Sequence, residues 1–110
     1  MTPEAFRALA LSQTEAVESG HMGKADFRVG GKIFATLSAD ARVGTLRLDP
    51  EQQQTALSLA GSAAWPATGS WGRQGWTQFG LNDVDEGLIG PLIHAAWVGR
   101  APKKLLKAAK

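Results

Sequence analysis

The residues of this chain able to do bond-making chemistry are few and far apart. His21 and His94 are separated by 73 positions, neither has a neighbour at metal-ligand spacing, and the chain has no cysteine to complete a zinc site or act as a nucleophile. His21, between Gly20 and Gly23 and near Asp26, could face a cleft, yet general acid–base work needs a positioned partner that the sequence does not supply. Asp83, Asp85 and Glu86 are the one tight group of carboxylates, and helix capping accounts for them more simply than a bound cation does. No nucleophile elbow, P-loop or dinucleotide fingerprint occurs; Gly30-Gly31 lacks the spacing of a phosphate cradle and opens no helix. These patterns point to a non-enzymatic protein without a metal or cofactor. Catalysis would need His21, Asp26 and Arg73 in one pocket.

Contact chemistry is better represented. Trp71-Gly72-Arg73-Gln74-Gly75-Trp76 sets two large aromatics and a planar cation beside two glycines. Trp and Arg are the types most enriched where surfaces bind, and glycine permits close backbone approach. The chain has four tryptophans. Packing into a small core is the favoured reading for Trp76 and Trp97, each burying a large area and using its indole N–H locally. Trp71 reads as a loop residue able to stack on a base or a partner side chain, with Arg73 beside it.

Charge is unevenly placed. The chain carries a net +2 and a pI near 9.3, but Lys103, Lys104, Lys107 and Lys110 supply four of the twelve basic residues. Residues 1–102 hold eight basic and ten acidic side chains, a net of −2, so the global pI says little about nucleic acid. Between Lys24 and Arg47, five cations (Lys24, Arg28, Lys32, Arg42 and Arg47) face two acids (Asp26 and Asp40), which gives the hairpin region a basic character.

The elements that must position these groups follow from local signals. Thr2-Pro3-Glu4 reads as an N-cap, a first-turn proline and a first-turn acid, with Phe6, Leu9 and Ala10 as the apolar stripe of a helix that fades by Gln13. Residues 15–23 are a polar strand or loop. Asp26 to Val29, Gly30-Gly31 and Lys32 to Leu37 read as a hairpin with a two-residue turn. In that register Val29 faces Lys32 and Phe27 faces Phe34, which puts Phe27, Val29 and Phe34 on the core face and Arg28, Ile33 and Ala35 on the other. Ser38 to Ala41 turns the chain into a strand over Arg42–Leu48, with Leu46 and Leu48 opposite Thr45 and Arg47. Asp49-Pro50-Glu51-Gln52 is a capping-box start for a helix ending at Gly61. A short extended piece over Ala63–Trp65 follows, and then a strand from Trp76 to Phe79 with Trp76 and Gln78 facing away from Thr77 and Phe79. The last helix, capped at Asn82 or Asp83 and striped by Ile89, Leu92, Ile93, Ala96 and Trp97, contains Pro91. It therefore either kinks there or begins near Gly90.

A length of 110 residues, 44% hydrophobic and 20% charged, makes residues 1–110 a single globular domain with a short Lys-rich tail over 103–110. No apolar run reaches the roughly 20 residues that span a bilayer, and the amino end lacks a signal-peptide layout, so a soluble, cytoplasmic protein is expected.

In combination, His21-Met22-Gly23-Lys24-Ala25-Asp26-Phe27-Arg28-Val29 running into Gly31-Lys32-Ile33-Phe34-Ala35-Thr36-Leu37, the Trp71–Trp76 block, and the ending Ala101-Pro102-Lys103-Lys104 resemble the MmcQ/YjbR family of small bacterial proteins, from about residue 3 to residue 106. The resemblance implies an α+β fold, an antiparallel sheet backed by helices as in frataxin-like and secretion-chaperone-like architectures. With the elements above, that amounts to about five strands and about three helices. It also implies a DNA-binding role through a "double wing" of hairpins. The frataxin likeness would suggest iron on an acidic ridge, for which the acids here are too dispersed, and Gly90-Pro91 departs from the family's last helix. The leading expectation is a domain that binds nucleic acid through Arg28, Lys32, Arg42 and Arg47 on the hairpins, with Arg73 and Trp71 as contact residues. The alternative is a protein- or peptide-binding module.

Overall fold

A computed structural model describes residues 1–21 and 23–108; the side chains of His21 and Ala108 are outside the described set, as are the last two residues of the Lys-rich tail. Among the described residues, six antiparallel strands form one sheet: β1 (Val17–His21), β2 (Lys24–Val29), β3 (Lys32–Leu37), β4 (Val43–Arg47), β5 (Ala64–Pro66) and β6 (Trp76–Gly80), in the spatial order β1-β2-β3-β4-β6-β5. Five α-helices accompany them: α1 (Pro3–Leu11), α2 (Pro50–Ala60), α3 (Ser70–Gln74), α4 (Glu86–Arg100) and α5 (Lys103–Ala108). The α+β class is as expected. The polar segment over 15–23 resolves as the strand β1 and the short extended piece around Ala63–Trp65 as the edge strand β5, which makes six strands where about five were expected; the added helices are the short α3 and α5.

Cap chemistry starts the first two helices where the sequence placed them. Thr2 Oγ1 accepts from the Ala5 amide at 3.0 Å. Asp49 accepts from the Gln52 amide at 2.7 Å, while Gln52 Oε1 accepts from the Asp49 amide at 3.0 Å, closing a complete capping box. The last helix starts differently: Asp85 is its N-cap residue, it runs unbroken from Glu86, and Pro91 lies inside it. Asn82 and Asp83 belong instead to the preceding turn, in which the Asp83 and Val84 amides donate to Gly80 O. Pro91 is exposed, on the side of the helix away from Ile89 and Ile93.

Gly30 and Gly31 both take positive φ, +57° and +81°, as a two-residue hairpin turn demands. Val29 pairs with Lys32 as read from the sequence, but the register shifts between Phe27 and Arg28, so Phe27 pairs with Ala35 and Phe34 is the extra residue of a bulge. Ala35 is thereby turned into the core, with no exposed surface. The core lies between one sheet face (Phe27, Val29, Ala35, Leu37, Leu46 and Phe79) and the inward sides of α1, α2 and α4, with Phe6, Ala56, Ile89, Ile93 and Trp97 fully buried or nearly so. Trp97 is anchored by its indole N–H, which donates to Thr14 O at 3.0 Å. With α1, α2 and α4 packed on one side, the other sheet face is left without a long helix over it.

Candidate functional site

The uncovered sheet face is built from the alternate strand residues that point away from the core. One row across it runs Asp26, Thr36, Thr45, Gln78 and Trp65; the next, toward the β2–β3 turn, contains Arg28 paired with Ile33 and Arg47 paired with Trp76. Lys24, Asp26, Ile33, Thr36, Thr45, Trp71, Trp76 and Gln78 line a groove of about 530 Å3 on this face. Its volume lies within the range of small-ligand clefts. Its walls combine apolar and aromatic surface with two hydroxyls and an amide. Gln78 Oε1 is already used, accepting from Trp65 Nε1 at 2.7 Å.

The two tryptophans at the end of this groove are held by glycine geometry. Gly75, at φ +115°, ends α3 and turns the chain into β6, and a Cβ there would run into the carbonyl of Leu48. Gly72 is buried against Ala67 in the same way. The buried amide of Gln53, from α2, donates to Gly72 O at 3.0 Å and to Trp76 O at 3.2 Å, clamping α3 and β6 together. Trp71 therefore stands on a helix rather than a loop. It is 59% exposed and touches Trp76 edge-on, with ring centroids 5.7 Å apart. Trp76 is only 7% exposed, but it is buried on the outer face, beneath Trp71 and Arg100, and not in the main core as the sequence reading favoured. The period-two alternation had placed it opposite Phe79, and that is where it lies.

A pair of cations adjoins Trp76. The Arg100 guanidinium sits 5.8 Å from the Trp76 ring centroid, and its Nε donates to Ile33 O at 3.0 Å. Arg47 is Trp76's direct cross-strand partner. Partial burial, and secondarily the nearby Arg47 charge, lower the Arg100 pKa from its ordinary value, yet a guanidinium remains charged at neutral pH. Among the described residues the side-chain ion pairs are Arg7 with Glu18 and Arg28 with Asp26, so neither Arg47 nor Arg100 has a carboxylate partner. The Arg47 Nε and Trp76 Nε1 are both buried without a hydrogen-bond partner among these residues.

The structure divides the six residues nominated from sequence. Arg28 and Arg47 share the uncovered face at the end near the β2–β3 turn, and Lys32 is exposed beside that turn. Arg28 is held by Asp26, through Nε to Oδ1 at 2.9 Å and Nη2 to Oδ2 at 3.2 Å, which raises its pKa. Arg42 lies at the opposite end, in the β3–β4 turn, where its amide donates to Asp40 at 3.1 Å. Arg73 is exposed on α3, and Trp71 lines the groove. The turn at Gly30 abuts Pro102, whose Cγ would lie 2.7 Å from a Cβ on Gly30, so this hairpin tip is backed by the segment between α4 and α5. Of the trio required for catalysis, Asp26 lines the groove bound to Arg28, Arg73 lies outside its lining, and the His21 side chain is outside the described residues. His94 is exposed, its ring stacked on Trp97 and bonded to Gln13 at 2.8 Å. The sequence reading missed Arg100, since it lies far from the hairpin cations in the chain. A basic residue in the last turn of a helix ended by Pro102 is the signal that marks it.

Residues 9–98 match the YjbR family model, and the chain belongs to the YjbR family. No curated protein matches it in sequence. Among solved structures it is similar to the crystal structure of the Deinococcus radiodurans protein DR2400, which carries a DUF419 domain: 18% identity, TM-score 0.74, with 87% of this chain and 75% of that one covered. At this identity the likeness extends to the fold.

Proposed function

We propose that this YjbR-family domain is a non-enzymatic nucleic-acid-binding protein whose contact surface is the uncovered sheet face. The observation that carries this reading is the Arg47–Arg100 pair, two guanidiniums without a carboxylate partner among the described residues, next to Trp76 at the end of an aromatic groove. Arginine pairs bidentately with phosphate and stacks on rings, so a polyanion carrying aromatic bases satisfies both features at once. Lys24 adds positive charge to the groove from β2, and Asp26, the acid that lines the groove, is occupied by Arg28; Lys32, the cross-strand partner of the core residue Val29, lies on the other face. Arg42, at the far end of the sheet, is outside this surface. DNA is the natural first test ligand, through this face rather than through free hairpin tips.

Anisotropy titrations of labelled DNA at several salt concentrations test the proposal. Binding at low salt should weaken with a log–log slope of about −2 to −4, corresponding to a handful of neutralised phosphates. No binding at micromolar protein in low salt contradicts it. The apolar surface of Ile33, Ala67 and Trp71 along the groove supports a second reading, a docked peptide; capture of protein partners that persists after nuclease treatment would favour that reading.

A further inference from the structure

The groove carries more than a positive surface: it has a ring-sized aromatic wall next to two guanidiniums without a carboxylate partner among the described residues. Resting on the nucleic-acid reading above, we propose that the site selects single-stranded over duplex nucleic acid, with one unpaired base stacked against Trp71 and the adjoining phosphate met by the guanidinium groups of Arg47 and Arg100. Trp71 offers an exposed indole face at the groove, while Trp76, edge-on to it, closes the end. In a duplex the faces of each base are covered by its neighbours, so only an unstacked base can use such a wall. The donors beside it fit the other half of a nucleotide. Arg47, half-buried, is the cross-strand partner of Trp76, and half-buried Arg100 lies over the Trp76 ring; neither has a carboxylate partner among the described residues. Thr36, Thr45 and the remaining amide capacity of Gln78 face the same space and can meet base edges. The flat mix of hydroxyls and one amide favours tolerance of different bases.

The test uses the full chain and three probes: an unstructured polypyrimidine strand of about 12 nucleotides, within the footprint of one small sheet-based site, the same strand annealed to its complement, and the free mononucleotide. The strand should bind at least about tenfold more tightly than the duplex, and Trp71→Ala should weaken the strand about tenfold with little effect on the duplex, as loss of one stacking contact implies. Trp71→Phe should restore most of the affinity. Trp71 is exposed, and matched thermal melts establish that both variants fold. Equal affinity for strand and duplex, or an unchanged strand affinity in Trp71→Ala, overturns the inference while leaving the nucleic-acid reading intact. A mononucleotide that binds as tightly as the strand overturns it by assigning the groove to a free nucleotide. Failure of all three probes to bind removes the reading on which it rests.

Discussion

Arg47 and Trp76 face each other across the β4–β6 ladder, and each buries a donor nitrogen that meets no acceptor among the described residues. Arg100 adds a second guanidinium over the Trp76 ring. Two neighbouring cations without a counter-charge oppose folding, and an unpaired buried donor loses its hydration without replacement. Arg47→Met should accordingly keep or raise the stability of the free protein, by up to about 1 kcal/mol, while lowering its affinity for DNA. Urea melts and binding titrations on the same variant check this. A variant that loses stability and keeps its affinity would show that Arg47 is structural.

The buried Gln53 amide holds the Trp71–Trp76 block through two carbonyls contributed by α3 and β6. Gln53→Leu leaves both carbonyls without this donor and should cost about 1–3 kcal/mol. Because it also loosens the mounting of Trp71, intrinsic tryptophan emission should shift to the red before global unfolding.

Gly75 combines a φ of +115° with backbone packed against the site its Cβ would occupy. Gly75→Ala should destabilise the fold by on the order of 2–4 kcal/mol, from crowding and left-handed strain together. Gly31 also has positive φ, +81°, but nothing lies within 4 Å of its would-be Cβ. Gly31→Ala should cost only the conformational part, about 1–2 kcal/mol. Comparing the two separates crowding from backbone conformation.

Pro91 cannot donate to the carbonyl one turn before it, and it is exposed within α4. Pro91→Ala should stabilise the protein by about 1–3 kcal/mol, seen as a higher melting temperature. A neutral or destabilising result would mean that neighbouring residues depend on the proline's local geometry.

Asp40 organises the β3–β4 turn, accepting from Ser38 Oγ at 2.7 Å and from the Arg42 amide at 3.1 Å. The Ser38 bond first, and the Arg42 amide next, hold its pKa below the ordinary carboxylate value. A depressed folded-state pKa adds stability that is fully present above the unfolded-state value and is lost as pH falls through the folded one. Stability should therefore decline on acidification, and Asp40→Asn should flatten that decline. Chemical denaturation at several acidic pH values measures the difference.

Local patterning made most of this fold legible. Thr2-Pro3 and the Asp49–Gln52 box marked two helix starts, Gly30-Gly31 marked the hairpin, and alternation from Trp76 to Phe79 assigned both faces of β6. The bulge that turns Ala35 inward was not readable, because a one-residue register shift changes no residue type. Neither was the start of α4: Pro91 signals a break, yet packing of Ile89 and Ile93 on either side of it carries the helix through. For the candidate site, Trp71, Arg28 and Arg47 were visible as aromatic and basic types, while the hairpin register sets Lys32 beside Val29 on the other face. Arg100 was not, because folding brings it to Trp76 and Ile33 from a distant part of the chain.

On the proposed reading, nucleic acid occupies the uncovered sheet face. Titration of isotope-labelled protein with the polypyrimidine strand, followed by amide and indole resonances, tests it most directly. The indole N–H signals of Trp71 and Trp76 and the amides around Thr36, Thr45 and Gln78 should move, while the indole of Trp97, buried on the inward side of α4, should stay in place. Shifts confined to the helical face or to the β3–β4 turn around Arg42, or no shifts at saturating strand, would contradict it.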